Sequence, residues 1–346
     1  MNVRIRLMRA RLRAPFGSAW GTVLDRDLVL LELEDAEGHR GVGEAAPLAG
    51  YDDFAIDDAR RDLERCRPVL ETSDGSSRGD LLARCAELTG VPHALAAIDT
   101  ALWDLAARQA GEPVWRAIGA SDAPPVPVNW TISATDRAGA AGEADTARSA
   151  GYRCVKVKVG IGDDAGRLAA VRAVAGSAMA IRTDANGAWT VAEAAAALRA
   201  LEPIGLELCE EPVRGLGQIA QLSELTDVDL AIDETGALEG ALDRRACAAV
   251  CLKVGRSGGI TGLIADARRA RAAGYEIYLA STLDGPVGIA AALHAAAVVR
   301  PERFCGLATL AMFAQETDLL TATAGTIEPP PGPGLLGRAL EWYGVD

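Results

Sequence analysis

Histidine and aromatic residues are scarce in this chain: there are three histidines among 346 residues, and Phe, Trp and Tyr together make up 4%. No paired histidine or further cysteine stands near Cys247 and Cys251, so a zinc site is not expected there. No apolar run reaches the length of a membrane span, and the opening MNVRIRLMRARLRAP carries basic residues without an apolar h-region. A cytoplasmic protein with no membrane partner is expected. Positive charge is in deficit, with 35 Lys and Arg against 48 Asp and Glu and a net charge of -13. Nucleic acid is therefore disfavoured as a partner, and an anionic substrate needs a local positive site. The seven cysteines are odd in number and scattered through apolar contexts such as LELCEEP and AVCLKV, which reads as core thiols and not as a disulfide framework.

What is plentiful is Ala and Gly within a 49% apolar composition, as in a helix-rich α/β enzyme. The length exceeds the usual single core and suggests one barrel-sized domain with a smaller companion. Residues 2–13 and 28–43 alternate in the β manner around the turn EDAEGHRG, and after YDDF the pattern turns helical, through AIDDARRDLERCRPVL, GDLLARCAEL and HALAAIDTALWDLAARQA. The proline-rich SDAPPVPV leads into a series of short β runs, each followed by an Ala-rich helix: VPVNWTI, CVKVKV, AMAIRTDA, LELCEEP, DLAIDE, AVCLKV, EIYLAS and FCGLAT. Such alternation implies parallel strands with right-handed crossovers, and eight steps imply a closed barrel whose last step is truncated. The division expected is a capping unit over residues 1–122, completed by the tail at about 312–346, and a barrel over 123–311. The G-x-G-x-x-G fingerprint that would favour a doubly wound sheet is absent.

CVKVKVG, residues 154–160, sets two lysines in an otherwise buried strand. Lys156 and Lys158 share one face, and burying ammonium groups requires strong counter-charges or a use for a neutral amine. Barrel sites form at the C-terminal ends of strands, and there stand Asp184, Glu210, Asp233 and then Lys253, each about one strand-plus-helix unit apart. Three acids at one mouth repel unless a cation joins them, and a hard oxygen-binding ion fits, Mg²⁺ with Mn²⁺ as the alternative. Lysines beside such a cation have their pKa lowered toward the range of a general base, which suits proton abstraction α to a metal-held carboxylate, the metal neutralising the enediolate. Taken singly, a strand-end Asp is as good a helix N-cap, and Asp233 before ETGALEGAL could cap the next helix; it is the register of all five positions that indicates a metal site. Glu211 and Glu234 are read as salt-bridge or supporting residues, Asn186 as a supporting or turn residue, His93 and His294 as packing or surface residues and His39 as a turn residue.

These residues resemble the enolase superfamily, in particular its muconate-lactonizing-enzyme subgroup: VKVKVG for the K-x-K lysines, DANGAW, CEEP and DET for three metal ligands, LKVGRSGGI for the opposing lysine, and GVGEAAPLAGYDD and ALWDLAARQAG for the cap. The resemblance implies a (β/α)7β-type modified TIM barrel under an N-terminal α+β cap, whose loops around Phe16 to Gly21 and Leu48 to Tyr51 close over the mouth. It implies Lys158 as base, Lys253 steadying the enediolate from the opposite face, Lys156 orienting the carboxylate, and Asp184, Glu210 and Asp233 on Mg²⁺. STLDGPVGIAAALHAA and CGLATLAMFAQE are similar to the corresponding regions of 2-succinylbenzoate synthases, which implies dehydration of 2-succinyl-6-hydroxy-2,4-cyclohexadiene-1-carboxylate to 2-succinylbenzoate in menaquinone synthesis. Ser281 and Thr282 would then hold the succinyl arm, with Trp20 and Tyr51 as lid contacts. Dipeptide epimerases of the subgroup carry Asp-x-Asp on strand eight, where this chain has the uncharged CGLATLA, so that activity is disfavoured. N-acylamino acid racemisation and muconate cycloisomerisation use the same parts and stay open. A Schiff-base aldolase with Lys253 as nucleophile is the reading from another class, and it leaves the three acids without a duty. The partner expected is a small-molecule carboxylate, and self-association into a homo-oligomer stays open.

Overall fold

A computed structural model of the chain describes residues 1–18, 21–73 and 76–345. Long alternating runs at the N-terminus form an antiparallel three-stranded sheet, β1 (Asn2–Ser18), β2 (Gly21–Glu34) and β3 (Arg40–Ala45). Its inner face carries Val29, Leu31 and Leu33 against α1 (Ile56–Glu71), α2 (Arg78–Ala86) and α3 (Pro92–Ala110). Only glycine permits the close approach of β3 to α3, since a Cβ on Gly43 would stand 1.8 Å from the Ala97 carbonyl oxygen. The β1–β2 register shifts between Arg11 and Phe16, and beyond the shift Phe16 and Val23 line the cavity at the barrel mouth.

After α4 (Val114–Ala117) and β4 (Val126–Pro127), seven strands follow in one parallel sheet in chain order: β5 (Trp130–Ile132), β6 (Cys154–Lys158), β7 (Ala180–Asp184), β8 (Leu208–Glu210), β9 (Leu230–Ile232), β10 (Ala249–Leu252) and β11 (Glu276–Leu279). The helices between and after them are α5 (Arg137–Ser149), α6 (Asp164–Ala175), α7 (Val191–Ala200), α8 (Leu216–Ser223), α9 (Ile260–Ala273) and α10 (Pro286–Val299). This is the modified barrel expected, with two local differences. VPVNWTI is not one strand: Pro127 offers no N–H to a ladder interior, and β4 pairs instead antiparallel with β12 (Thr326–Ile327) in the tail. FCGLAT is not a continuous strand, yet it closes the barrel. Cys305 N donates to Pro127 O at 2.8 Å on one side, and Gly306 N to Leu279 O at 2.8 Å on the other.

The tail passes α10 and α3 and ends in α11 (Ala339–Trp342). Leu335 N donates to Asp104 at 2.6 Å, and the Tyr343 hydroxyl donates to Glu44 of the cap sheet. His294 is buried between Trp115 N at 3.0 Å and Leu335 O at 2.7 Å, and His39 sits in the β2–β3 turn against Asp35. All seven cysteines are buried and free. No described helix is long and apolar enough to cross a membrane.

Candidate active site

Parallel pairing sets the acids side by side. Lys158 lies opposite Asp184, and Asp184 opposite Glu210, in neighbouring strands, so their side chains enter the same end of the barrel. Val155 and Val157 are fully buried on the other face of β6, while Lys156 and Lys158 turn inward with side chains 14% and 13% exposed. Lys156 Nζ bridges Asp184 at 2.8 Å and Glu210 at 2.7 Å. Lys158 Nζ donates to Asp184 Oδ2 at 2.6 Å and to Asn186 Oδ1 at 2.7 Å. Lys253, just past β10, donates to both Asp233 oxygens at 2.6 and 2.5 Å and to the Tyr51 hydroxyl, which in turn donates to Asp233. Asp233 does precede a short 3-10 turn, but its carboxylate makes no capping bond there, and α7, the helix after Asp184, is capped by Thr190.

The amines therefore lie among the carboxylates. Burial favours the neutral amine at Lys156 and Lys253, but Asp184 and Glu210 beside the first and Asp233 beside the second outweigh it and raise both pKa values. In the protein alone, what the amines touch is anionic. Burial likewise opposes ionisation of Asp184 and Asp233, yet Lys156 and Lys158 on one, and Lys253 and Arg256 on the other, hold both below the usual carboxylate range. Glu210 differs: burial, reinforced by Asp184 and Asp233 and only partly offset by Lys156, pushes it up to about 7. The Tyr278 hydroxyl donates to its second oxygen at 2.8 Å.

As a metal site the donors fit a hard divalent ion through their carboxylate oxygens. The three-donor group whose ligand atoms lie within 4.8 Å of one another consists of Glu210, Asp233 and Cys251. Asp184 joins Glu210 through the Lys156 ammonium, so a cation already occupies the space between two of the expected ligands. The thiol is a soft donor that suits Mg²⁺ poorly, and the oxygens carry the fit.

Around this centre stand residues that the sequence reading placed outside the metal and lysine set, together with Arg256 and Tyr278, which it did not single out. Glu211, in the left-handed region at φ 40, forms no salt bridge in the described structure; it accepts from Asp233 N at 2.7 Å, from Thr235 N at 3.1 Å and from the Thr235 hydroxyl, and so shapes the loop that presents Asp233. Burial pushes it up to about 8. Asn186, also left-handed at φ 48, links Lys158 to Glu234 through its amide, 3.0 Å from the latter. Arg256 donates to Asp233 at 3.1 Å and to Asp52 of the cap at 2.9 Å, over the Tyr51 ring. His93 is buried against Asp52 at 3.5 Å, and burial pushes its pKa down to about 4. The only sequence signal for Arg256 was a cation three residues beyond Lys253, and for Tyr278 an inward position on its strand.

Lys156, Lys158, Lys253, Asp184 and Asp233 line a cavity of about 90 Å³ open at the mouth, whose other walls include Phe16, Val23, Leu48, Tyr51, Leu283 and Met312. Ser281 and Thr282 line it as well; the Ser281 hydroxyl is paired with that of Thr309 at 2.7 Å, and Thr282 N donates to Asp284 at 3.2 Å. Trp20 lies outside the described residues.

Comparison with known proteins adds the following. Residues 1–119 match the mandelate racemase / muconate lactonizing enzyme N-terminal domain, and residues 139–338 the enolase C-terminal domain-like family. The L-Ala-D/L-Glu epimerase of Bacillus subtilis is 30% identical over 95% of this chain and 94% of its own. The N-succinyl-L-Arg/Lys racemase of Bacillus cereus is 28% identical over 85% of this chain and 83% of its own. The crystal structure of a dipeptide epimerase from Cytophaga hutchinsonii, complexed with Mg and D-Ala-L-Val, superposes with a TM-score of 0.86 at 26% identity, covering 96% of this chain and 94% of that one.

Proposed function

This chain belongs to the mandelate racemase/muconate lactonizing enzyme group of the enolase superfamily, and from that premise we propose that it removes the proton α to a carboxylate bound at the barrel mouth. The observation that carries the reading is that Lys158 and Lys253, on strands four apart in the sheet order, reach one cavity beside Asp184 and Asp233. Asp184, Glu210 and Asp233 would hold Mg²⁺, with Mn²⁺ able to replace it. When bound, the ion supplies positive charge to the substrate carboxylate and so acidifies the neighbouring C–H. Lys158 takes that proton at Nζ, its ammonium steered by Asn186 Oδ1. Lys156 orients the carboxylate end, and Lys253 faces the anion from the other wall. The cap, residues 1–122 with the tail from about 312, would supply the Tyr51 side of the enclosure over the 123–311 barrel.

The substrate has no free α-amine. Cys305 to Thr309 carry no charge, and away from the lysines, Asp184 and Asp233 the polar groups on the cavity wall, among them Thr131, Asn186, Ser281, Thr282 and Thr309, are uncharged, so an ammonium would lack a counter-ion there. Dehydration of 2-succinyl-6-hydroxy-2,4-cyclohexadiene-1-carboxylate to 2-succinylbenzoate fits: Lys158 removes the α-proton and then passes it to the departing hydroxyl, which leaves as water. Racemisation of an N-acylamino acid is the second reading. It is favoured by Lys158 and Lys253 reaching one cavity from strands four apart, as a proton exchange from both faces requires.

The test is turnover with Mg²⁺ in D₂O of a panel holding the cyclohexadiene carboxylate, N-succinylamino acids, dipeptides and muconate. Formation of 2-succinylbenzoate, or α-deuteration of N-succinylamino acids, is expected. Turnover of dipeptides alone overturns the substrate, and absence of Mg²⁺-dependent turnover across the panel overturns the reaction.

A further inference from the structure

Lys253 is not the only inward donor on its stretch of chain. Cys251 stands two residues earlier, on β10, so the two side chains turn to the same interior face. The parallel register sets Cys251 opposite Tyr278 of β11, whose hydroxyl donates to Glu210 at 2.8 Å. The thiol therefore enters the space that Glu210 reaches from β8 and Asp233 from the end of β9, and it is one of the three donors gathered within 4.8 Å there.

Its surroundings differ from those of the other thiols. Cys66, Cys154, Cys247 and Cys305 each have a carbonyl oxygen 3.3 to 3.9 Å from sulfur, and Cys85 lies against Cys66. Cys209 alternates with the inward Glu210 and so faces out of the barrel interior. Cys251 is 4% exposed, and its thiol has no hydrogen-bond partner among the described residues. A buried thiol without a partner, beside two carboxylates, has the surroundings of a ligand and not of a packing residue. Carboxylates alone suit hard ions, whereas an added thiolate favours softer ones such as Co²⁺, Zn²⁺ and Cd²⁺. Asp184 lies outside this three-donor group, where Lys156 and Lys158 hold it.

We propose that Glu210, Asp233 and Cys251 form a second, softer seat for a divalent ion, offset from the Mg²⁺ position toward β10, so that this enzyme captures thiophilic ions. The inference rests on the reading that Glu210 and Asp233 are metal ligands. Bonds of about 2.0–2.2 Å to oxygen and about 2.3 Å to sulfur bring the three donors onto one ion with small side-chain rotations. The thiol S–H bond breaks as the sulfur–metal bond forms, the proton passes to the buffer, and no electron changes hands. Lys156 gives up Glu210 and keeps Asp184. An ion so placed takes two of the three Mg²⁺ ligands without the third, so soft and hard ions exclude each other.

The experiment titrates the metal-free full-length protein with Co²⁺ and reads the thiolate-to-cobalt charge-transfer band in the near ultraviolet, a signature of a Co–S bond that carboxylates do not give. Calorimetry measures Cd²⁺ and Mg²⁺ affinities alongside. The wild type is expected to show the band, and added Mg²⁺ should diminish it. C251A and the near-isosteric C251S should both lose it. In both, the ratio of Cd²⁺ to Mg²⁺ affinity should fall by at least about tenfold, the lower end of what even outer partners of metal ligands contribute. E210Q should weaken the Co²⁺ titration, because the thiol shares its ion with that carboxylate. A wild type without the band, a band that survives C251A and C251S, an unchanged affinity ratio, or a titration that E210Q leaves untouched overturns the proposal. Since these are spectra and binding, absence of Mg²⁺-dependent turnover removes the proposed reaction and leaves the soft seat, while absence of the band removes the seat and leaves the reaction.

Discussion

Lys156 and Lys158 are two residues apart on one strand face, yet their loss should have different consequences for stability. In K156M the ammonium that spans Asp184 and Glu210 disappears; Asp184 keeps Lys158 at 2.6 Å, while Glu210 keeps the Tyr278 hydroxyl at 2.8 Å. Breaking a buried pair by removing one partner costs roughly 3–5 kcal/mol. Glu210 already binds a proton readily, being pushed up to about 7, so the cost should fall at the lower end, about 3 kcal/mol. In K158M no carboxylate loses its last ammonium, because Lys156 remains 2.8 Å from Asp184, and about 1 kcal/mol is expected for the lost hydrogen bonds. For a chain of this size each kcal/mol moves Tm by roughly 2 °C, giving falls of about 6 °C and about 2 °C. Scanning calorimetry at one fixed scan rate, in EDTA and again in excess Mg²⁺, reads both. If Lys156 stands in for the missing cation, Mg²⁺ should raise the Tm of K156M more than that of the wild type, by supplying the charge that the mutation removed. The reasoning is refuted if K158M loses as much as K156M in EDTA, or if Mg²⁺ shifts wild type and K156M equally.

For catalysis, K158A and K253A are each expected to lower turnover by at least about 100-fold with Tm held within a few degrees, and EDTA should abolish turnover; near-wild-type activity in K158A removes the proposed base. E211Q places an amide NH₂ against the N–H groups of Asp233 or Thr235, so about 1–2 kcal/mol of stability should go while turnover falls only a few-fold; a loss equal to that of K158A would contradict a loop-shaping role. The cap–barrel junction should titrate. Glu44 is pushed up to about 7 by burial and by Asp284, and burial pushes Asp284 up to about 6. A raised folded pKa means that the native state holds protons the unfolded chain releases, so this stability is complete below the ordinary carboxylate pKa and is lost as pH rises through about 7. E44Q should flatten Tm against pH between about 5 and 7; an unaltered slope refutes the assignment.

The barrel and the ring of acids were legible because both are written in short range. A strand of five residues declares its faces by alternation, and the chain spacing from one strand end to the next declares the mouth, so Lys156, Lys158, Asp184, Glu210, Asp233 and Lys253 could be read before any contact was known. What was hidden depends on contacts across many residues. Glu211 reads from the sequence as either a salt-bridge or a supporting residue, and only the structure decides for the second: its left-handed backbone turns the carboxylate onto the amides of the next loop. Arg256 and Asp52 meet only once the cap is seated on the barrel. The closing run at 305–306 lacks the length of a strand and closes the barrel with hydrogen bonds made to either side, which no local pattern announces. The sequence likewise showed which charges would gather, but not that amines would lie between the acids.

That interleaving bears on what the site can accept. Lys156, Lys158, Lys253 and Arg256 stand against Asp184, Glu210, Asp233 and Asp52, four cations with four carboxylates, each in contact with an opposite charge. These pairings keep the acids from repelling one another, while Glu210 is pushed up to about 7 and Glu211 and Glu234 lie beside the same centre. A divalent ion would draw on these carboxylates, so the charge at the mouth is set by how many of them are ionised when it binds. The uncharged wall from Cys305 to Thr309 is the feature that bears on the substrate, because it offers an ammonium no counter-charge.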